Sequence, residues 1–183
     1  MRCYLVRHPA PLVPQNTCYG STDLEVHTDE QARVTAALCS TLPKGLPMFS
    51  SPLRRCAGLA AGLADALDCA SLTWDARLVE MDFGDWEIRA WDDIPRGEID
   101  AWARDTTFYR PGNGENVVDV ARRIQLFYDQ LMRLEQDCIV ICHAGTIRLL
   151  LACRPHTSVQ QIAELAATTA CQVGFGEVIR MEC

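Results

Sequence analysis

The chain has 183 residues and is 49% hydrophobic, enough for one domain with a full apolar core and no small-scaffold staple. Its 17 basic and 24 acidic residues give a net charge of −7, which argues against nucleic acid and anionic membrane as partners; an anion must be met by a local cationic pocket. The ten cysteines include no CxxC pair and are spread through apolar segments, which points to free, mostly buried thiols in a reducing cytoplasm rather than a disulfide framework or metal site. The N-terminus reads directly as a strand with no signal peptide, and no apolar run is long enough to span a bilayer.

Arg2-Cys3-Tyr4-Leu5-Val6 reads as a short apolar strand that stops on Arg7, His8 and Pro9, because proline cannot continue a central strand. In open α/β sheets ligands gather beyond the carboxyl ends of strands, so a cation and a titratable ring stand where a small anion can be met. Residues 10–23, interrupted by prolines and Gly20, read as an ordered loop over that strand end. Thr28-Asp29-Glu30-Gln31 reads as a capping box, followed by Ala32, Ala36, Ala37, Leu38 and Leu42 at helical spacing up to Pro43. Residues 46–50 read as a second strand, and Ser51-Pro52 predicts a helix with serine near the cap and proline in the first turn, running through Leu59, Leu63 and Leu67. Ser71-Leu72-Thr73-Trp74 is a third strand, and the chain leaves it through Glu80 and an aromatic turn at Phe83 and Trp86.

Residues 88–114 break this alternation. Trp91, Ile94, Ile99, Trp102 and Phe108 supply apolar weight while Pro95, Gly97, Pro111, Gly112 and Gly114 interrupt it, which predicts a helical insertion able to cover a site. Asn116 caps a long helix with a stripe of Val117, Val120, Ile124, Phe127, Tyr128 and Leu131. Cys138-Ile139-Val140-Ile141-Cys142 is apolar throughout, as a central parallel strand should be, and it ends at His143-Ala144-Gly145 at the start of another helix. Residues 173–181 read as a late strand, a candidate antiparallel edge.

Strand ends therefore carry Arg7 with His8, Arg55, and His143, and a fourth exit carries Glu80. Neighbouring parallel strands would bring these groups to one point. Two guanidiniums and two imidazoles suit a phosphoryl group, since the arginine fork matches phosphate oxygens bidentately and a helix N-terminus adds N–H donors. An imidazole attacks phosphorus once its attacking nitrogen is unprotonated, a state set by the other nitrogen donating to a carbonyl. The leaving alkoxide needs a proton, and Glu80, beside a bound dianion and aromatic groups, is the acid expected to supply it through a raised pKa.

Leu5-Val6-Arg7-His8, Ser51-Pro52-Leu53-Arg54-Arg55, the run from Glu80 to Glu87, and Cys142-His143-Ala144-Gly145 resemble the four signature blocks of the histidine phosphatase superfamily, with the phosphoglycerate mutase-like fold. They stand in the family's order and spacing, and with Gly114-Glu115 the resemblance covers nearly the whole chain. It implies an α/β three-layer sandwich in which helices flank a mostly parallel central sheet, in a single domain over residues 1–183 with the insertion at about 88–114. It further implies that His8 is the phosphorylated nucleophile, that Arg7, Arg55 and His143 bind phosphoryl oxygens, that Glu80 is the proton donor, and that neither metal nor cofactor is needed. Arg54, the unmatched arginine of the pair, is expected to face solvent.

The short chain and the stretch from Cys18 to Asp23 are similar to α-ribazole phosphatases, implying α-ribazole 5'-phosphate or adenosylcobalamin 5'-phosphate in cobalamin synthesis as substrate. A phosphoglycerate or phosphosugar mutase, a broad-specificity phosphatase, a phosphohistidine-protein phosphatase and a non-enzymatic binder of phosphorylated ligands are the alternatives, and a homodimer is compatible with each. Pro9 replaces the family's usual glycine and Pro14 its usual asparagine, changes that bear on the phosphate's surroundings rather than on the histidine chemistry. Asn16, Tyr19, Ser21 and Trp102 are candidate substrate contacts, with turn formation or local packing as their bland alternatives, while His27 and His156 read as solvated surface groups. Asp82 and Asp85 beside Glu80 read as turn acids rather than metal ligands.

Overall fold

The computed structural model describes residues 1–169 and 171–182, so Cys183 lies outside the described residues. Strands β1 (Arg2–Arg7), β2 (Pro47–Ser50), β3 (Ser71–Trp74), β4 (Cys138–Cys142) and β5 (Val178–Glu182) form one sheet in the order β3-β2-β4-β1-β5. The first four run parallel to one another, joined by three crossovers that each contain helix, while β5 pairs antiparallel with β1 at the edge. The helices are α1 (Thr28–Cys39), α2 (Arg54–Ala66), α3 (Arg96–Arg104), α4 (Val117–Met132), α5 (Ala144–Ala152) and α6 (Val159–Thr168). Among the described residues no helix is long and apolar enough to cross a membrane.

The pleat explains why the central strands are apolar at every position. On β4, Cys138, Val140 and Cys142 enter the core shared with α4, α5 and α6, whereas Ile139 and Ile141 enter the one beneath α1 and α2. Strand β1 divides in the same way, Cys3 and Leu5 to one side and Tyr4 and Val6 to the other. The three-layer α/β architecture follows, since each sheet face needs a helical cover. Among the described residues the cysteines form no disulfide.

Three local expectations are corrected. Helix α1 is capped by His27, whose Nδ1 accepts from Asp29 N at 3.3 Å, so the cap falls one residue before Thr28 as a single bond and not the expected box, while His27 is solvent-exposed as expected. Helix α2 begins at Arg54 after an extended Leu53, because Ser51 Oγ is engaged by His143 Nε2 at 2.9 Å and turns the chain instead of capping it. The last strand begins at Val178 rather than at residue 173: Gly176, at φ 72°, forms a turn whose N–H donates to the carbonyls of Arg7 and His8.

Ladder bonds continue past the strand ends. His8 N donates to Cys142 O at 3.1 Å and Ser51 N to Ile141 O at 3.0 Å, so the residues after β1 and β2 flank the end of β4. Between residues 88 and 114, one-turn helices at Trp91–Asp93 and Pro111–Asn113 bracket α3, as the interrupted pattern predicts. This insertion has its own core of Cys18, Trp86 and Ile94, overlain by Trp91 and Trp102, whose rings stack at 6.0 Å and 6°. Gly112, at φ 53°, lets the insertion close on the turn after Glu80, where a Cβ would press on Asp85 N and Trp86 N at 2.6 Å. Gly112→Ala is expected to cost more than about 2 kcal/mol, read as a fall of about 4–8 °C in Tm, whereas an unchanged Tm would show that this close approach is dispensable.

Candidate active site

Where β1 ends, His8 is buried beside a cavity of about 400 Å3. Its Nδ1 lies 2.6 Å from Pro9 O, and since a carbonyl only accepts, Nδ1 carries the proton and Nε2 is left with a free lone pair. Burial, then the charge of Arg55, push the His8 pKa down to about 3, against the opposing Pro9 hydrogen bond. Pro9, the departure from the family pattern, contributes through its carbonyl.

Arg55 is fully buried at the start of α2, yet three of its N–H groups go to neutral acceptors: Nε to His143 Nδ1 at 3.3 Å, Nη1 to Thr22 O at 2.7 Å and Nη2 to Gly20 O at 2.5 Å. The two carbonyls sit on a loop that Glu87 fixes by accepting from Ser21 N at 2.8 Å, Thr22 N at 2.7 Å and Phe83 N at 3.0 Å, and from the hydroxyls of Ser21 and Thr22. Burial works against the Glu87 carboxylate, but these donors outweigh it and hold its pKa below the ordinary value. Arg7 donates to Val173 O at 2.5 Å and to Tyr19, and its pKa is lowered first by burial, with Tyr19 and Glu80 opposing. Among the described residues neither Arg7 nor Arg55 forms an ion pair with a carboxylate.

His143 stands 5.0 Å from His8, ring to ring. Because Arg55 donates to Nδ1, the His143 proton is on Nε2 and goes to Ser51 Oγ. Burial and then His8 and the arginines keep the His143 pKa well below its ordinary value. Both His143 nitrogens thus face protein groups, which makes it the support behind Arg55 rather than part of the cavity wall.

Glu80 faces the cavity from the strap after β3, its Oε2 accepting from Gly145 N at 2.9 Å at the start of α5 and its Oε1 from Met81 N at 3.1 Å. Gly145 permits this, since a Cβ there would lie 2.5 Å from Glu80 Oε1. The strap itself is held by Arg123, which the sequence reading passed over. It donates to Arg77 O at 2.6 Å, Val79 O at 2.5 Å and Glu80 O at 3.3 Å, and pairs with Glu115 at 2.9 Å while Glu115 accepts from Asp82 N. The spacing of Glu115 and Arg123 at the start of α4 was the available signal.

Arg7, His8, Tyr19, Arg55, Glu80 and Trp102 line one cavity, with Met81, Phe83, Val117 and Leu149 forming an apolar far side and Arg148 at its margin. Asn16 and Ser21 do not line it. Asn16, at φ 63°, turns the loop and binds Asp92 at 2.8 Å, and Ser21 is spent on Glu87. Arg54 is exposed and pairs with Asp23 and Glu25. Asp82 accepts from Gly84 N at 2.7 Å as a turn acid, and among the described residues no group of three or more His, Cys, Asp or Glu is placed to hold a metal ion.

Residues 3–176 match the family model of the histidine phosphatase superfamily, branch 1, and the chain belongs to that superfamily. It is 34% identical over 80 residues to the adenosylcobalamin/alpha-ribazole phosphatase of Escherichia coli K12, a match covering 41% of this chain and 39% of that protein. A probable fructose-2,6-bisphosphatase of Schizosaccharomyces pombe is 29% identical over 122 residues, 65% of this chain and 28% of that protein. The matched part is thus about two-fifths or less of these curated relatives. Among solved structures, the α-ribazole phosphatase of Shigella flexneri superposes with a TM-score of 0.80 at 23% identity, over 100% of this chain and 90% of that one. A mycobacterial glucosyl-3-phosphoglycerate phosphatase superposes at 0.77 with 24% identity, over 99% and 89%. At these identities the superpositions establish the fold, and the family with its phosphatase-named relatives supports a phosphatase.

The neutral histidines have a consequence for stability. Free in the unfolded chain, His8 titrates near its ordinary 6.5, whereas folded it titrates at about 3, so between those values the unfolded state binds the extra proton. Stability therefore rises with pH through this window and is lost on acidification. Tm is expected to drop from about pH 7 to about pH 5, and less steeply in His8→Asn; equal slopes would contradict the assignment. Arg123→Met is expected to lower kcat about 10²-fold with a smaller change in KM, because Glu80 loses its aim, and wild-type kcat would remove Arg123 from that role.

Proposed function

We propose that this chain is a single-domain, metal-independent phosphomonoester hydrolase that works through a phosphohistidine at His8. The observation that carries the reading is a pair of buried or half-buried arginines without a carboxylate partner among the described residues, converging with a neutral imidazole on one cavity. Such charges call for an anion, and the arginine forks suit a phosphoryl group.

In the first half-reaction His8 Nε2 attacks phosphorus in line, the P–N bond forms as the P–O ester bond breaks, and Glu80 gives its proton to the departing alkoxide. Arg7 and Arg55 hold the phosphoryl oxygens, and His143 steers Arg55 from behind. In the second half-reaction water attacks phosphorus, Glu80 takes a proton from it, and inorganic phosphate leaves with His8 restored. Arg7 and Arg55 at the cavity wall neutralise the charge spread over the phosphoryl oxygens, and cations held in place beforehand need no reorganisation as the reaction proceeds.

For the substrate, α-ribazole 5'-phosphate or adenosylcobalamin 5'-phosphate is the reading we favour. It is supported by the curated relatives of that name and by the apolar side of the cavity at Phe83, Trp102 and Leu149, which suits a planar base. The free thiols fit a reducing, cytoplasmic setting.

With chelator present, wild-type enzyme is expected to release phosphate, His8→Ala to lose turnover, and Glu80→Gln to lose about 10²–10⁴ in kcat. α-Ribazole 5'-phosphate should exceed generic phosphomonoesters in kcat/KM, and equal values would reject a dedicated cobalamin role. Isomerisation of 3-phosphoglycerate in place of phosphate release would make the chain a mutase, and full turnover by His8→Ala would overturn the mechanism.

A further inference from the structure

The turn between α6 and β5 grips the reactive end of β1 through backbone and side-chain hydrogen bonds. Arg7 N donates to Glu177 O at 3.1 Å, Gly176 N donates to Arg7 O and His8 O at 3.1 and 3.3 Å, and Arg7 Nη1 donates to Val173 O at 2.5 Å. Gly174 N closes the turn onto Glu177 Oε2 at 2.5 Å. At its tip the Phe175 ring lies 3.8 Å beneath Arg7 Cζ and 5.6 Å from the His8 ring, without lining the cavity. Partial burial, with 41% of the ring left exposed to solvent, does not by itself select a placement across a cation and against an imidazole.

We propose that Phe175 is a positioning residue for phosphoryl binding and transfer, its π face holding the Arg7 guanidinium in the plane that meets phosphoryl oxygens while the same ring, tilted 49° to that of His8, restrains the imidazole. The physical basis is cation–π attraction, which restrains a flexible side chain that no carboxylate fixes and leaves its charge undiminished for substrate. A carboxylate in that place would fix Arg7 equally well but cancel the charge the phosphoryl group needs. Gly176 makes the arrangement possible: it is left-handed at φ 72°, and a Cβ there would meet Val34 Cγ1 at 2.9 Å, so the turn must run tight against α1 to present Phe175. The proposal rests on Arg7 binding phosphate, as in the functional reading above.

The test compares Phe175→Ala, Phe175→Leu and Phe175→Tyr, alone and with Arg7→Met, reading the Kd of inorganic phosphate by calorimetry and kcat and KM with phenyl phosphate. Alanine and leucine are expected to weaken phosphate binding and lower kcat/KM roughly three- to thirtyfold, with tyrosine restoring both, since leucine keeps the bulk and loses the π face. In the Arg7→Met background Phe175→Ala should add no further loss in phosphate binding. Wild-type behaviour of Phe175→Leu, or an undiminished Phe175→Ala loss after Arg7→Met, would overturn the proposal. Should the wild-type chain show no turnover while Phe175→Ala still weakens phosphate, the hydrolase reading fails and the Phe175 assignment stands.

Discussion

The charge of Arg55, fully buried at a helix start and met among the described residues by two carbonyls, a neutral imidazole and the Tyr19 ring, with no carboxylate, is the constraint on which the site turns. Removing a guanidinium from water costs several kcal/mol unless charge and hydrogen bonds are both satisfied, and here only the hydrogen bonds are. Much of the surrounding structure is arranged to hold it so. The loop at Gly20–Thr22 supplies carbonyls because Glu87 fixes that loop, and His143 supplies a lone pair because Ser51 takes its proton. Arg55 in turn acts with burial to keep His8 neutral, so the same charge serves both the proposed anion site and the proposed nucleophile.

Glu80 is governed by a separate set of contacts. Its carboxylate rests on the N-terminus of α5, while its backbone hangs from the Arg123–Glu115 pair on α4. Glu80 and His8, the proposed acid and nucleophile, are thus carried by different elements that face the same cavity. Such a division lets the strap and insertion vary the alcohol side of the pocket without disturbing the phosphate side, where the sheet dictates geometry.

The parts legible in the sequence were those whose side chains sit at strand ends. An apolar run stopped by Arg7-His8-Pro9, and another stopped by His143, mark strand ends directly, and adjacency of β1, β2 and β4 in the sheet brings those ends together. What escaped was whatever depends on the backbone's path through turns. Phe175, between two glycines, looked like part of a strand that in fact starts at Val178. Arg123 lies outside the apolar stripe of its helix, and its carbonyl acceptors belong to a strap more than forty residues earlier. Ser21 and Asn16 looked available because no periodicity reveals that Glu87 and Asp92 already occupy them.

The central claim is that the phosphoryl group passes through His8 Nε2. Rapid quenching of the enzyme during turnover, followed by proteolysis and mass spectrometry, should find an acid-labile, base-stable phosphoryl group on the peptide that holds His8, forming and decaying at rates consistent with kcat. Turnover at full rate with that peptide never phosphorylated would contradict the account.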